Sequence, residues 1–442
     1  MTTLDTSYLR RAFTDKNKHT FYEFYKAPCF VCGKTGNCMV KDDGTTVICT
    51  RMESPIKFSD KNVSYVHHLE NGVKVTGVKA NTNKNRKKAP INLLDSRYRA
   101  FLSTLKVNQT HCDHLFKGRG LSQETVLLRK YRSYPDSIEG AKALLGTELY
   151  NHSDFKSEKV AIGFPGLYLN KENQWDLVKH DGILIPYRNE HMEITGFQIR
   201  TTEVKSKVSA DPTNFKGLHV RIKEQPNLIQ VLDYGEIIKE FRLEVGQSAT
   251  VTKREKHTSI KLEKSQRYIW LSSANYNYGT PAATEDSPLP VHVAVPTYKL
   301  KEYEKLAEAQ MNAEEYLVNI KSDAVWVTEG ALKADIAVDL ISEAFADEIE
   351  TVGDVVLAVP GVNTWKTLLP TLKAVEAKRV NIAFDMDAIT NDKVAAQYKA
   401  MLHHLVEEGY EVYAALWPNT ESTKGLDDAL HQKIRPQFQC FQ

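Results

Sequence analysis

The spacing of apolar positions changes period several times along the chain and is most regular in its last third. Asp323 to Thr328 is a β-branched apolar run, and Ala331 to Phe345 follows it with Leu332, Ile336, Val338 and Leu340 among good helix formers. This predicts a strand, a Glu329-Gly330 turn and a helix. The unit recurs: Val355 to Val359 runs through Pro360-Gly361 into a helix, and Arg379 to Phe384 leads into Asp385. A helix from Asn391, with Val394, Tyr398, Met401, Leu402 and Leu405 on its apolar side, stops at Gly409 before the strand Glu411 to Leu416. Strands alternating with helices predict a parallel sheet covered on both faces, with the carboxyl ends of its strands on one edge, where ligands sit.

Upstream the period differs. From Asn92 to Tyr131 it is helical, with Leu93, Leu94, Tyr98, Phe101, Leu102 and Leu105 on one face and Leu115, Leu121, Val126 and Leu127 beyond, and Ser122 is placed to cap a helix. Gly182 to Arg188 and Ile194 to Arg200 alternate as the two strands of a hairpin, and Arg267 to Ser273 is a further strand. Between them, residues 201–266 carry four β-rich runs. Ala80 to Pro90 is polar, basic and aperiodic, a linker.

The candidate chemistry sits on these elements. Glu329 and the pair Asp385/Asp387 follow strands on the shared edge, and Asp427 and Asp428 follow the last one. Carboxylates gathered there repel one another unless a cation or a proton intervenes, and oxygen-only ligands favour Mg²⁺ or Mn²⁺. Asp427 equally suits the cap of the final helix. Lys333, one turn after Glu329, and Lys424 are placed to pair with phosphate or with the acids. Near the start, Cys29, Cys32, Cys38 and Cys49 are four of six cysteines. The Cys-x2-Cys knuckle and the hairpin spacing of the second pair, with Asp42-Asp43-Gly44 at its turn, predict a structural Zn²⁺ site of four thiolates, with an iron–sulfur centre as the alternative. His67 and His68 read as a surface or packing pair.

Composition narrows the class. A chain of 442 residues with 42% hydrophobic and 26% charged residues is an ordinary globular chain of several domains. No apolar run reaches membrane-spanning length and the start lacks a signal peptide's apolar core, so a cytoplasmic location is expected. Net charge is only +2, but Lys79 to Ser133 holds 13 Lys or Arg against Asp95, Asp113 and Glu124, which suits a polyanion. There is no Gly-x4-Gly-Lys-Ser/Thr loop of a helicase, and no Tyr stands out as a topoisomerase nucleophile.

Thr-Glu-Gly-Ala-Leu-Lys-Ala, Val-Pro-Gly-Val, Ala-Phe-Asp-Met-Asp-Ala and Lys-Gly-Leu-Asp-Asp-Ala-Leu together resemble the toprim domain of bacterial DnaG-type DNA primases. The wording is most similar to primase-like toprim proteins of plasmids, phages and integrative elements. The cysteines resemble the primase zinc-binding domain, although all four ligands are Cys where the bacterial enzyme usually has a His. Arg119-Gly120-Leu121-Ser122 resembles an element that precedes the polymerising core. The resemblance implies a multidomain α+β and α/β chain: a zinc ribbon at 1–78, a basic linker and helical connector at 79–150, a mixed β-rich subdomain at 151–300 with an insertion at 201–266, and a toprim domain at 301–442. It implies a primase synthesising short primers from nucleoside triphosphates on a single-stranded DNA template, with a replicative helicase on a separate chain as partner. Glu329, Asp385 and Asp387 would be catalytic, and Asp385, Asp387, Asp427 and Asp428 would hold Mg²⁺ or Mn²⁺. Arg119, Arg188, Arg200, Arg267, Lys333 and Lys424 would contact template or nucleotide, the strand-end arginines being alternatively solvated charges. A toprim nuclease and a non-catalytic loader of single-stranded DNA are the competing readings. The insertion departs from the primase pattern.

Overall fold

A computed structural model describes residues 3–5, 8–15, 19–59, 63–69, 74–76, 87–147, 150, 162–170, 172, 174–210, 218–233, 235–253, 256–310, 315–386 and 392–441. The chain forms two compact units, Met1–Thr82 and Asn83–Gln442. Most of the linker expected at Ala80 to Pro90, and Asp387, lie outside the described residues.

The first unit is an antiparallel sheet of six short strands, with Met39–Lys41 and Thr46–Cys49 side by side at its centre. Its core is small: Phe24, Val40 and Val47 are fully buried together with Cys38 and Cys49. A unit of this size buries too little apolar surface to be secure without a staple.

The second unit is built on a six-stranded sheet. Four parallel strands, Val355–Val359, Ala324–Glu329, Arg379–Ile382 and Glu411–Leu416, stand in that order, bordered by the antiparallel strands His292–Ala294 and Gln437–Phe441. Val355–Val359 is apolar throughout and Ala324–Glu329 nearly so, because both faces of the sheet are covered. One face packs Trp326, Val356 and Ala358 against Val338 and Ile341 of the helix Ala331–Ala344. The other packs Val325, Val327 and Val380 against Leu368 and Leu372 of Leu368–Ala374 and Met401 and Leu405 of Asp392–Glu407. Because the sheet starts at His292, its boundary lies upstream of the expected 301. No helix among the described residues is long and apolar enough to cross a membrane.

A second sheet, Tyr268–Trp270, Ile194–Thr201, Gly182–Arg188 and Arg132–Ser133 in order, lies against the helix Ala331–Ala344 through Ile183, Ile185 and Tyr187. Its other face is covered by Ile91–Thr104 and Ser137–Leu145, through Tyr98, Phe101, Leu102 and Leu144. The insertion folds as two three-stranded antiparallel sheets around Ile229, Val231, Val251, Ile260 and Leu262, and its first and last strands pair, Ser206 opposite Lys264.

Candidate functional site

The strands Ala324–Glu329 and Arg379–Ile382 are neighbours in the sheet, Val327 opposite Ile382, yet the chain leaves them in opposite directions: from the first to Val355–Val359, from the second to Glu411–Leu416. Such a switch in direction opens a crevice beyond the strand ends. Glu329 and Asp385 stand at it. Gly330, with φ 77°, turns the chain from strand into helix directly after Glu329, a conformation that favours glycine. Glu329 Oε1 accepts a hydrogen bond from the backbone N–H of Val362 at 3.0 Å. One helical turn on, Lys333 Nζ donates to both carboxylate oxygens of Asp385, each at 2.5 Å.

Asp427 and Asp428 reach the same place from the loop after Glu411–Leu416. Met386 N–H donates to Lys424 O at 3.1 Å, tying this loop to that of Asp385. Gly425 is where the acids converge: a Cβ there would stand 2.6 Å from Asp427 Oδ1, 3.4 Å from Asp385 Oδ1 and 3.5 Å from Asp428 Oδ2. Asp428 accepts from the Gly425 N–H at 3.2 Å, so the helix-capping contact expected of Asp427 is made by Asp428 instead. Asp427 is buried, and its Oδ1 makes no hydrogen bond. Burial raises its carboxyl above the usual range, and Asp428 and Asp385 push the same way against Lys333 and Arg119. A buried, partnerless carboxylate oxygen beside two further carboxylates has the chemistry of a site for a hard cation such as Mg²⁺ or Mn²⁺, although among the described residues no three of these acids bring their oxygens within 4.8 Å of one another.

Beside the acids lies a cationic group. Arg119 Nη1 reaches Asp427 Oδ2 at 3.3 Å. His114 is held down to about 4, first by burial and then by Arg200, Arg119, Arg267 and His111, so it is neutral at physiological pH. Burial, with Arg267 and Arg119 nearby, also lowers Arg200. The Nε of Arg200 is buried without a hydrogen-bond partner. Among the described residues no carboxylate pairs with Arg200 or Arg267, and Arg267 is exposed. Gln198 and Tyr268, from the second sheet, join Glu329 and Lys333 around a cavity of about 120 Å³. Uncompensated guanidinium groups of this kind suit phosphate.

Comparison with known proteins adds little to this. A family model described as a domain of unknown function, DUF3854, matches residues 315–435, the stretch that holds all the acids. No curated protein matches the chain. Among solved structures the chain is similar to the zinc-binding and RNA polymerase domains of the Aquifex aeolicus primase, at 13% identity and a TM-score of 0.40 over 97% of this chain and 79% of that one. It is similar to a DNA primase domain from Pseudomonas aeruginosa, at 13% identity and 0.39 over 79% and 80%. A DnaG primase catalytic domain bound to single-stranded DNA gives 11% identity and 0.37 over 78% and 79%. These values are low, and no residue's role is taken from them.

Arg188 was expected at a groove and is instead 1% exposed. Its Nε donates to Glu304 at 2.8 Å and its terminal nitrogens to the carbonyl of Arg129. Arg99 shares Glu304 at 2.7 Å, and Arg129 is paired with Asp335, which also accepts from Tyr131 and contacts His292. Part of the basic stretch at Lys79 to Ser133 thus serves as internal ion pairs rather than a surface for a polyanion. Lys424 is exposed.

In the first unit the sulfur atoms of Cys29, Cys32, Cys38 and Cys49 all lie within 4.8 Å of one another. Cys38 Sγ is 3.8 Å from Cys32 Sγ and 3.7 Å from Cys49 Sγ. A tetrahedron with Zn–S bonds of about 2.3 Å has edges of about 3.8 Å, so the four fit zinc. Backbone N–H groups of Val31 and Arg51 point at Cys29 and Cys49, and the Arg51 guanidinium approaches Cys38 at 3.4 Å and Cys32 at 3.7 Å. Arg51 was not singled out in the sequence, although a cation two residues after the last ligand is the available signal. Burial raises Cys29 to about 12, whereas at Cys32 hydrogen bonds from Lys34 and Arg51 outweigh burial and bring it to about 6. His67 instead contacts the carbonyl of Met52 at 3.0 Å.

Proposed function

We propose that this chain is a metal-dependent nucleotidyltransferase that synthesises primers on single-stranded DNA. One observation carries the reading: Asp385, Asp427 and Asp428 converge at the switch point of a parallel sheet, and Arg119, which contacts Asp427, belongs to a group of arginines with Arg200 and Arg267 around His114. Transfer of a nucleotidyl group needs negative charge to bind cations and positive charge to hold polyphosphate and template, side by side. A bound Mg²⁺ or Mn²⁺ would lower the pKa of the attacking 3′-hydroxyl and offset charge building on the triphosphate. Asp385, Asp427 and Asp428 would hold it, with Asp387 as a further candidate. Arg200 and Arg267 bind phosphate oxygens, and Gln198 and Tyr268 wall the cavity in which the reacting groups meet. Glu329, fixed by the Val362 N–H, either completes the coordination or takes up the hydroxyl proton. The four-cysteine unit holds Zn²⁺ and contributes to template binding.

The motif resemblance supports primer synthesis over hydrolysis and supports a source in a plasmid, phage or integrative element. On the same reading the chain works in the cytoplasm with a replicative helicase carried by another chain. The test is incubation with single-stranded DNA, labelled nucleoside triphosphates and Mg²⁺ or Mn²⁺, followed by a denaturing gel, beside Asp385→Ala. Short products from the native chain, reduced at least about 100-fold in the variant while DNA affinity is kept, are expected. Shortening of the template would instead identify a nuclease, and binding without product a loader.

A further inference from the structure

We propose that the Lys333 ammonium is a built-in cation of the acidic site, standing where a second divalent ion would otherwise be needed, so that the site takes a single divalent ion. This rests on the reading that the carboxylates bind such an ion at all. Lys333 meets both oxygens of Asp385 at 2.5 Å, a contact an incoming ion could replace only by breaking two charge-assisted hydrogen bonds. Its position is defined. It occupies the first turn of the helix Ala331–Ala344, its side chain is 22% exposed, and its stem lies against the cavity shared with Glu329, Gln198 and Tyr268. Asp385 Oδ1 also faces Gly425, around which Asp427 Oδ1 and Asp428 Oδ2 gather.

Charge agrees with geometry. The described carboxylates at the site are Glu329, Asp385, Asp427 and Asp428, and Lys333 and Arg119 offset two of them. Lys333 thus already supplies, at Asp385, one of the positive charges these carboxylates call for. A lysine neither dissociates nor exchanges, so this half of the site stays charged when chelators strip the other.

The experiment is Mn²⁺ titration of the zinc-loaded full chain, followed by the electron paramagnetic resonance signal of free Mn²⁺, for the native protein, Lys333→Met, Lys333→Glu and Asp427→Asn. Thermal unfolding confirms that each variant is folded, and Lys333→Met keeps the apolar stem. One ion is expected in the native protein and two in Lys333→Glu. Lys333→Met is expected to bind its first ion at least tenfold more tightly. Two ions in the native chain, or unchanged number and affinity in both Lys333 variants, would overturn the proposal while leaving the acids as a metal site. No binding by any folded form, Asp427→Asn included, would overturn the metal reading itself.

Discussion

On the proposed reading Asp385 and Arg267 do opposite electrostatic work, so substitutions at the two should separate. Arg267→Ala removes one exposed guanidinium from the group around His114. It should weaken single-stranded DNA binding about equally for all sequences and lower the slope of log affinity against log salt by about one, read by fluorescence anisotropy across salt concentrations. A slope unchanged by the substitution would remove Arg267 from the template path. At this scale the acids were legible and the arginines only in part. Glu329 and Asp385 follow apolar runs that can only be buried strands, which fixes the edge on which they emerge. Arg188 ends a strand of the same appearance as the one ending at Arg200, yet it turns inward because Glu304, 116 residues away, waits to receive it. Nothing local to Arg188 distinguishes the two cases. Lys333 showed its position in the sequence, one turn after Glu329, but not which of phosphate or carboxylate it would meet.

Two groups of elements are held by something other than apolar packing. The first unit is held by its thiolates. Cys49→Ser, or removal of metal by a strong chelator, should reduce zinc from about one ion per chain to none and abolish the unit's β-sheet signal, while the second unit keeps its own unfolding transition. The spacing of the four cysteines made this group readable, since ligand spacing is local. The second is the ion-pair network that joins the helix Thr297–Gln310 to the helical connector and the hairpin. Burial alone would raise Glu304, but Arg188, Arg99 and Lys130 outweigh it and hold the carboxyl at about 2. A folded value below the unfolded one gives stability that is complete above about pH 4.5 and is lost as pH falls toward 2. A shift of this size corresponds to about 3 kcal/mol. Urea midpoints measured at pH 6, 4 and 3 should therefore fall steeply in the native chain and less in Glu304→Gln. At pH 6 that variant should itself be about 3–5 kcal/mol less stable, since it leaves Arg188 buried without a carboxylate, while Arg99 keeps Asp95. Long-range pairs of this sort have no sequence signature; they were hidden inside what read as a basic, polyanion-binding stretch.

Over the whole molecule, the alternation of strands and helices from Asp323 onward was readable because each element is long and its period clear, and the β-rich character of 201–266 was readable for the same reason. The order of strands was not. Nothing in His292-Val293-Ala294 announces that it borders the last sheet, running antiparallel to Val355–Val359. That border strand has a practical consequence for anyone cutting the chain by its motifs. A fragment of residues 301–442 would contain every carboxylate of the site, yet it would leave the edge of Val-Val-Leu-Ala-Val bare, five apolar residues without a proline, a charge or a glycine to discourage pairing. Such a fragment should self-associate and sediment in a concentration-dependent manner, whereas one beginning before Val291 should be shielded from this sheet-to-sheet aggregation. The three residues that close the edge act as the molecule's guard against polymerising with itself.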